Sequence, residues 1–95
     1  MITLPKDDLK KQEILQKIIN KFQEDTEYSE QEVNDVINSF EVEDYALIRR
    51  ELVNFGYLAK NSYQGVYWVL TKNKTAEKLK KIRQNQERIN KAGHY

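Results

Sequence analysis

At Gly56 the apolar period of the chain changes, and that change limits the folds open to it. Before Gly56, apolar residues recur three and four positions apart, the spacing of one helix face. After it comes "YLAKNSYQGVYWVLT", rich in aromatic and β-branched residues and broken at its centre by polar "NSYQG". That is the pattern of two short strands and a turn. Helices followed by a hairpin make an α+β domain that is mostly α. The glycines fall at punctuation points. Gly56 is the left-handed terminator of a helix, Gly65 supplies the hairpin turn, and Gly93 lies past the last helix. None is left for a phosphate-cradling loop, which needs several together.

The first helix is expected from about Asp7 to Phe22, just after Pro5, with Ile14, Leu15, Ile18, Ile19 and Phe22 on its apolar face. The second starts in "EYSEQEVNDVINSF" at a capping box. Ser29 would accept from the amide of Glu32 while the Glu32 carboxylate reaches back to the amide of Ser29. Val33, Val36, Ile37 and Phe40 form its apolar face, with Tyr28 placed to staple onto Val33. The third, in "DYALIRRELVNFGYL", has Asp44 as its cap and Tyr45, Ile48, Leu52 and Phe55 in the sector expected to be buried. A fourth is expected from about Lys74 to Lys91, with Leu79, Ile82, Gln86 and Ile89 as a narrow seam. The chain thus reads as one domain over 1–95. Its C-terminal helical extension, 74–92, either packs on the rest or forms the seam of a homodimer.

Three helices, a hairpin and a closing helix, in that order, are the order of a winged helix-turn-helix, whose third helix lies in the DNA major groove. The third helix carries Arg49 and Arg50, and neither has a carboxylate three or four positions away. Arg50 and Asn54 lie opposite the apolar sector, so both are expected to meet a ligand. Arg49 sits on a flank with two readings: ligand contact, or an ion pair to Glu41, Glu43 or an acid of the second helix. In the wing, Lys60, Asn61 and Gln64 would bind phosphates and Tyr63 would pack on a sugar, with backbone contacts added by Lys72 and Lys74. Trp68 shares one strand face with Val66 and Leu70, while Tyr67 and Val69 share the other. Both faces are apolar, and for Trp68 core packing is favoured over base stacking.

Charge is segregated along the chain. Residues 1–45 hold 5 Lys and Arg against 12 Asp and Glu, residues 46–72 hold 4 against 1, and residues 73–95 hold 7 against 2. Either the two signs neutralise each other within the fold, or a basic face is presented to a polyanion. The absence of cysteine and the single histidine, His94, disfavour disulfides, thiol chemistry, Cys/His zinc sites and histidine proton transfer. No nucleophile with an evident base stands out, so an enzyme is not expected, and neither is a cofactor. No apolar run is long enough for a membrane span, and "MITLPKDDLKK" lacks a signal-peptide core, so a cytoplasmic protein is expected.

In "YSEQEVNDVINSF", "DYALIRRELVNFGYL" and "GVYW", in that order and spacing, the chain resembles domain of unknown function family 2087. The similarity covers roughly residues 7 to 70. Glu32, Val33 and Asn34 match one part of the family pattern, Arg49 to Val53 with Gly56 a second, and Gly65 with Tyr67 a third. The resemblance implies a winged-helix-like fold, in small prokaryotic domains that occur alone or fused to transcription-regulator modules. This chain has Val69 and Leu70 where the family often carries a basic residue. The expectation is a sequence-dependent double-stranded DNA binder and transcription regulator, with the third helix in the major groove and the hairpin, 58–70, on the backbone. The alternative is a protein-interaction module on the same scaffold, without DNA contact.

Overall fold

A computed structural model describes residues 1–72. The helix expected over 74–92, and Lys74 with it, lie outside the described residues. Within them the chain is α+β, with three helices and a three-stranded antiparallel sheet.

Local chemistry sets where each helix begins. Helix α1 spans Asp8–Ile19, and the Asp7 carboxylate caps it by accepting from the amides of Leu9 and Lys10. It stops three residues earlier than the apolar spacing predicts. The amides of Lys21 and Phe22 bond three residues back, to the carbonyls of Ile18 and Ile19, which tightens the last turn and carries Phe22 into the core. Helix α2, Glu30–Asn38, begins at the expected capping box, with Ser29 and Glu32 bonded reciprocally. The backbone amide and the hydroxyl of Ser29 hold the Glu32 carboxyl below its ordinary pKa. Helix α3, Tyr45–Asn54, is capped by Asp44, and Gly56 follows it at φ 79°.

The sheet differs from the expected hairpin by one strand. Strands β2, Leu58–Asn61, and β3, Val66–Val69, pair as predicted, with Gly65 at φ 69° in the turn. A two-residue strand β1, Tyr28–Ser29, adds to the other edge of β3, giving the order β1, β3, β2. Tyr28 therefore stands opposite Tyr67, and its ring meets Phe22 edge-on at 5.1 Å. Its hydroxyl accepts from the amide of Gln23, 2.7 Å away.

Alternation and register assign the two faces of the sheet. Leu58, Tyr67 and Tyr28 face the helices, and the core joins Leu58, Tyr67 and Tyr57 to Leu15, Ile18 and Ile19 of α1, Val33 and Ile37 of α2, and Ile48 and Leu52 of α3. Two expectations about apolar residues change. Trp68 is on the outward face, not in the core, because the register that buries Tyr67 turns its neighbour the other way. Tyr45 is 42% exposed, because the first turn of α3 projects past the edge of the core.

The N-terminal residues fasten the connection between α2 and α3. Ile2 forms a parallel bridge with Val42, its amide bonding to Glu41 and its carbonyl receiving the amide of Glu43. Glu41 turns the chain there at φ 55°, a left-handed conformation that glycine takes more readily.

Candidate nucleic-acid interface

The two arginines of α3 have different surroundings. Arg49 is turned toward α2. Its Nη1 donates to Asn34 Oδ1 at 2.6 Å, and its Nη2 lies 3.6 Å from Glu30 Oε1. Glu30 Oε1 also accepts from the Tyr67 hydroxyl at 3.3 Å, so one carboxylate at the start of α2 links α2, α3 and β3. The side chain of Arg49 is 18% exposed. Arg50 is exposed and, among the described residues, makes no ion pair or hydrogen bond. Asn54, one turn on, is exposed too, but its amide donates to Glu51 Oε1 at 2.9 Å.

Glu51 belongs to a network that links α1 to α3. Its other oxygen accepts from Lys11 Nζ at 2.7 Å, and Lys11 also reaches Asp8 at 3.1 Å and lies 5.9 Å from the centre of the Phe55 ring. Burial raises the Glu51 carboxyl pKa, but the hydrogen bonds from Lys11 and Asn54 and the charges of Lys11 and Arg50 outweigh it, so the net shift is downward. Lys11 is the mirror case: burial lowers its pKa, its two carboxylate partners outweigh that, and the net shift is upward. Nearby, buried Gln12 donates to the Asp8 carbonyl and accepts from the Tyr57 hydroxyl at 2.6 Å. Burial pushes the Tyr57 phenol up, against an opposing hydrogen bond with Gln16.

These shifts fix a pH dependence. A carboxyl whose folded pKa is depressed contributes stability above its unfolded pKa and loses it as pH falls through the folded value. Lys11, with a raised folded pKa, loses its contribution only on the alkaline side. Glu51→Gln is expected to lower stability by ~1 to 2 kcal/mol at neutral pH, as charged hydrogen bonds in part-buried positions do. It should also flatten the acid limb of the stability curve. Urea midpoints measured from about pH 3 to about pH 7 test both effects, and an acid limb identical to that of the unsubstituted protein would contradict them.

The hairpin candidates separate into two surroundings. Lys60 is exposed on the helix-facing side, its Nζ 5.5 Å from the centre of the Tyr67 ring. Tyr63 stands at the tip, 99% exposed. Asn61 shapes the turn, its Oδ1 accepting the Gln64 amide and its carbonyl the Gly65 amide. Asn61 and Gln64 also line a groove with Asp25, Glu27 and Trp68, where the carboxylates oppose a phosphate. Lys72 lies by the end of α1, donating to the Asn20 carbonyl at 3.4 Å and lining a groove with Glu24 and Asp25. Of the predicted contact residues, then, Arg50 and Asn54 stand together on α3, Lys60 and Tyr63 are open on the hairpin, and Arg49 is drawn into the helix packing.

The sequence profile of domain of unknown function family 2087, described as an uncharacterized protein conserved in bacteria, matches residues 1–69. The chain belongs to this family. Two stretches that carried the resemblance meet in the family 2087 fold, since Asn34 of the Glu-Val-Asn segment accepts from Arg49 of the Arg-Arg-Glu-Leu-Val segment. Searches of curated proteins and of solved structures find no match to the chain. Among the described residues no helix is long and apolar enough to cross a membrane.

Proposed function

We propose that this family 2087 domain is a winged-helix, sequence-dependent double-stranded DNA binder, a transcription regulator of the bacterial cytoplasm. Helix α3 enters the major groove and the β2–β3 hairpin lies along the backbone. The observation that carries this reading is the exposed Arg50, which among the described residues makes no ion pair or hydrogen bond, its charge acting only on adjacent Glu51, at the surface of a helix that Arg49 ties to α2. A guanidinium so placed matches a guanine edge or a phosphate. The order helix, short strand, helix, helix, hairpin supports the same reading. It is a binding function, and no catalytic step or cofactor is assigned to the chain.

The charge balance sets how strong nonspecific attraction can be. Residues 1–72 carry 9 Lys and Arg against 13 Asp and Glu, so most of the attraction must come from Arg50, Lys60 and the basic stretch 73–95, Lys74 included. The test is a titration of labelled mixed-sequence duplex with the full chain at low and high ionic strength. Affinity is expected to fall about tenfold or more over a roughly fourfold rise in salt. Binding that ignores salt would favour the protein-interaction module in its place.

A further inference from the structure

The face of the sheet turned away from the helices carries Ala59, Asn61, Val66 and Trp68 by alternation and register. Trp68 is only partly buried there, and with Asp25, Thr26, Glu27, Asn61 and Gln64 it lines an open groove of about 270 Å³. Part of the indole surface is thus open to this groove.

The carboxylates around it define what can bind there. Asp25 and Glu27 are exposed and, among the described residues, take part in no ion pair or hydrogen bond. Local bonds hold the loop that presents them: the Thr26 hydroxyl donates to the Glu24 carbonyl at 3.1 Å, and the Gln23 amide to the Tyr28 hydroxyl at 2.7 Å. Among the described residues, the nearby cations make their hydrogen-bond and ring contacts elsewhere. Lys72 donates to the Asn20 carbonyl, and Lys60 lies over Tyr67 on the opposite face. An aromatic face beside two carboxylates attracts a cation and repels a phosphate. A guanidinium satisfies both parts at once, stacking flat on the indole while its N–H fork meets the acids.

The recognised group extends past one side chain. Asp25 also lines an adjoining groove with Glu24, Val69, Leu70, Thr71 and Lys72, where Leu70 is 58% exposed. A groove that shares Asp25 with the Trp68 groove and adds Glu24 and exposed Leu70, with Lys72 also in its lining, suits a peptide that presents an arginine followed by an apolar residue. We infer that the outer face of the sheet docks an arginine-bearing basic segment of a partner protein, with Trp68 as the stacking platform and Asp25 and Glu27 as the acceptors. This surface is separate from Arg50, so one domain holds nucleic acid on α3 and a protein on the far side of the sheet.

Trp68 is the only tryptophan of the chain, so its emission reports on the groove directly. Titrating the full chain with a short arginine–glycine peptide is expected to change that emission saturably and less so at high salt, while the lysine–glycine counterpart binds more weakly. Asp25→Asn with Glu27→Gln should weaken the arginine peptide by about tenfold. Asparagine tolerates the φ of 55° at position 25, and circular dichroism checks that the fold is kept. No change in emission, or a change that the double substitution leaves intact, would overturn the inference. Neither outcome touches the DNA reading, which is measured on labelled duplex and on Arg50.

Discussion

Arg50→Ala weakens binding to a specific duplex site by ~1 to 3 kcal/mol, roughly fivefold to more than a hundredfold, and leaves thermal stability where it was. The expectation joins two facts about one side chain. Arg50 is exposed on α3, and among the described residues its removal orphans no hydrogen-bond or ion-pair partner and takes away only its charge beside Glu51. On the DNA reading, what is lost is contact with the duplex. Arg49→Ala should do the reverse. Asn34 Oδ1 and Glu30 lose their donor between α2 and α3, so stability drops by ~1 to 2 kcal/mol, and DNA affinity changes only as far as α3 shifts. Neighbours in sequence thus separate affinity from stability, and melting curves beside duplex titrations for both variants make the comparison. An Arg50→Ala protein that binds duplex as tightly as the parent would remove α3 from the interface.

What could be read from the sequence was local. The capping box of Ser29 and Glu32, the Asp7 and Asp44 caps and the glycine turns at 56 and 65 each depend on residues within a few positions of one another. So does the hairpin. The features that were not legible are pairings across the chain. Nothing in "YS" alone makes a strand, and β1 exists because β3 offers a free edge 38 residues later. Lys11 and Glu51 stand 40 residues apart and meet only once α1 packs on α3. The outward arginine could be placed by the helical wheel, but the acid that holds its neighbour could not be singled out from the acids of α2, Glu41 and Glu43. The apolar strand "VYWV" hid which face is inward, because both faces read as apolar; pairing with β2 and burial of Tyr67 decide it.

Leu52→Ala should be the most damaging of these changes to the fold, lowering stability by ~2 to 5 kcal/mol. Leu52 is fully buried on α3, in the core that joins α1, α2 and the sheet, so the space left by its side chain opens where several elements converge. For a small domain whose total stability is about 5 to 15 kcal/mol, that loss is a large fraction of the whole. The helical wheel assigned Tyr45 to the same buried sector, which makes it the control. With 42% of its surface exposed, Tyr45→Ala should cost less than about 1 kcal/mol although a larger side chain is removed. Denaturant midpoints of the two variants decide between burial as the structure has it and burial by helical phase alone. Equal losses at both positions would mean that the first turn of α3 packs inward, and the surface from which Arg50 projects would then be turned as well.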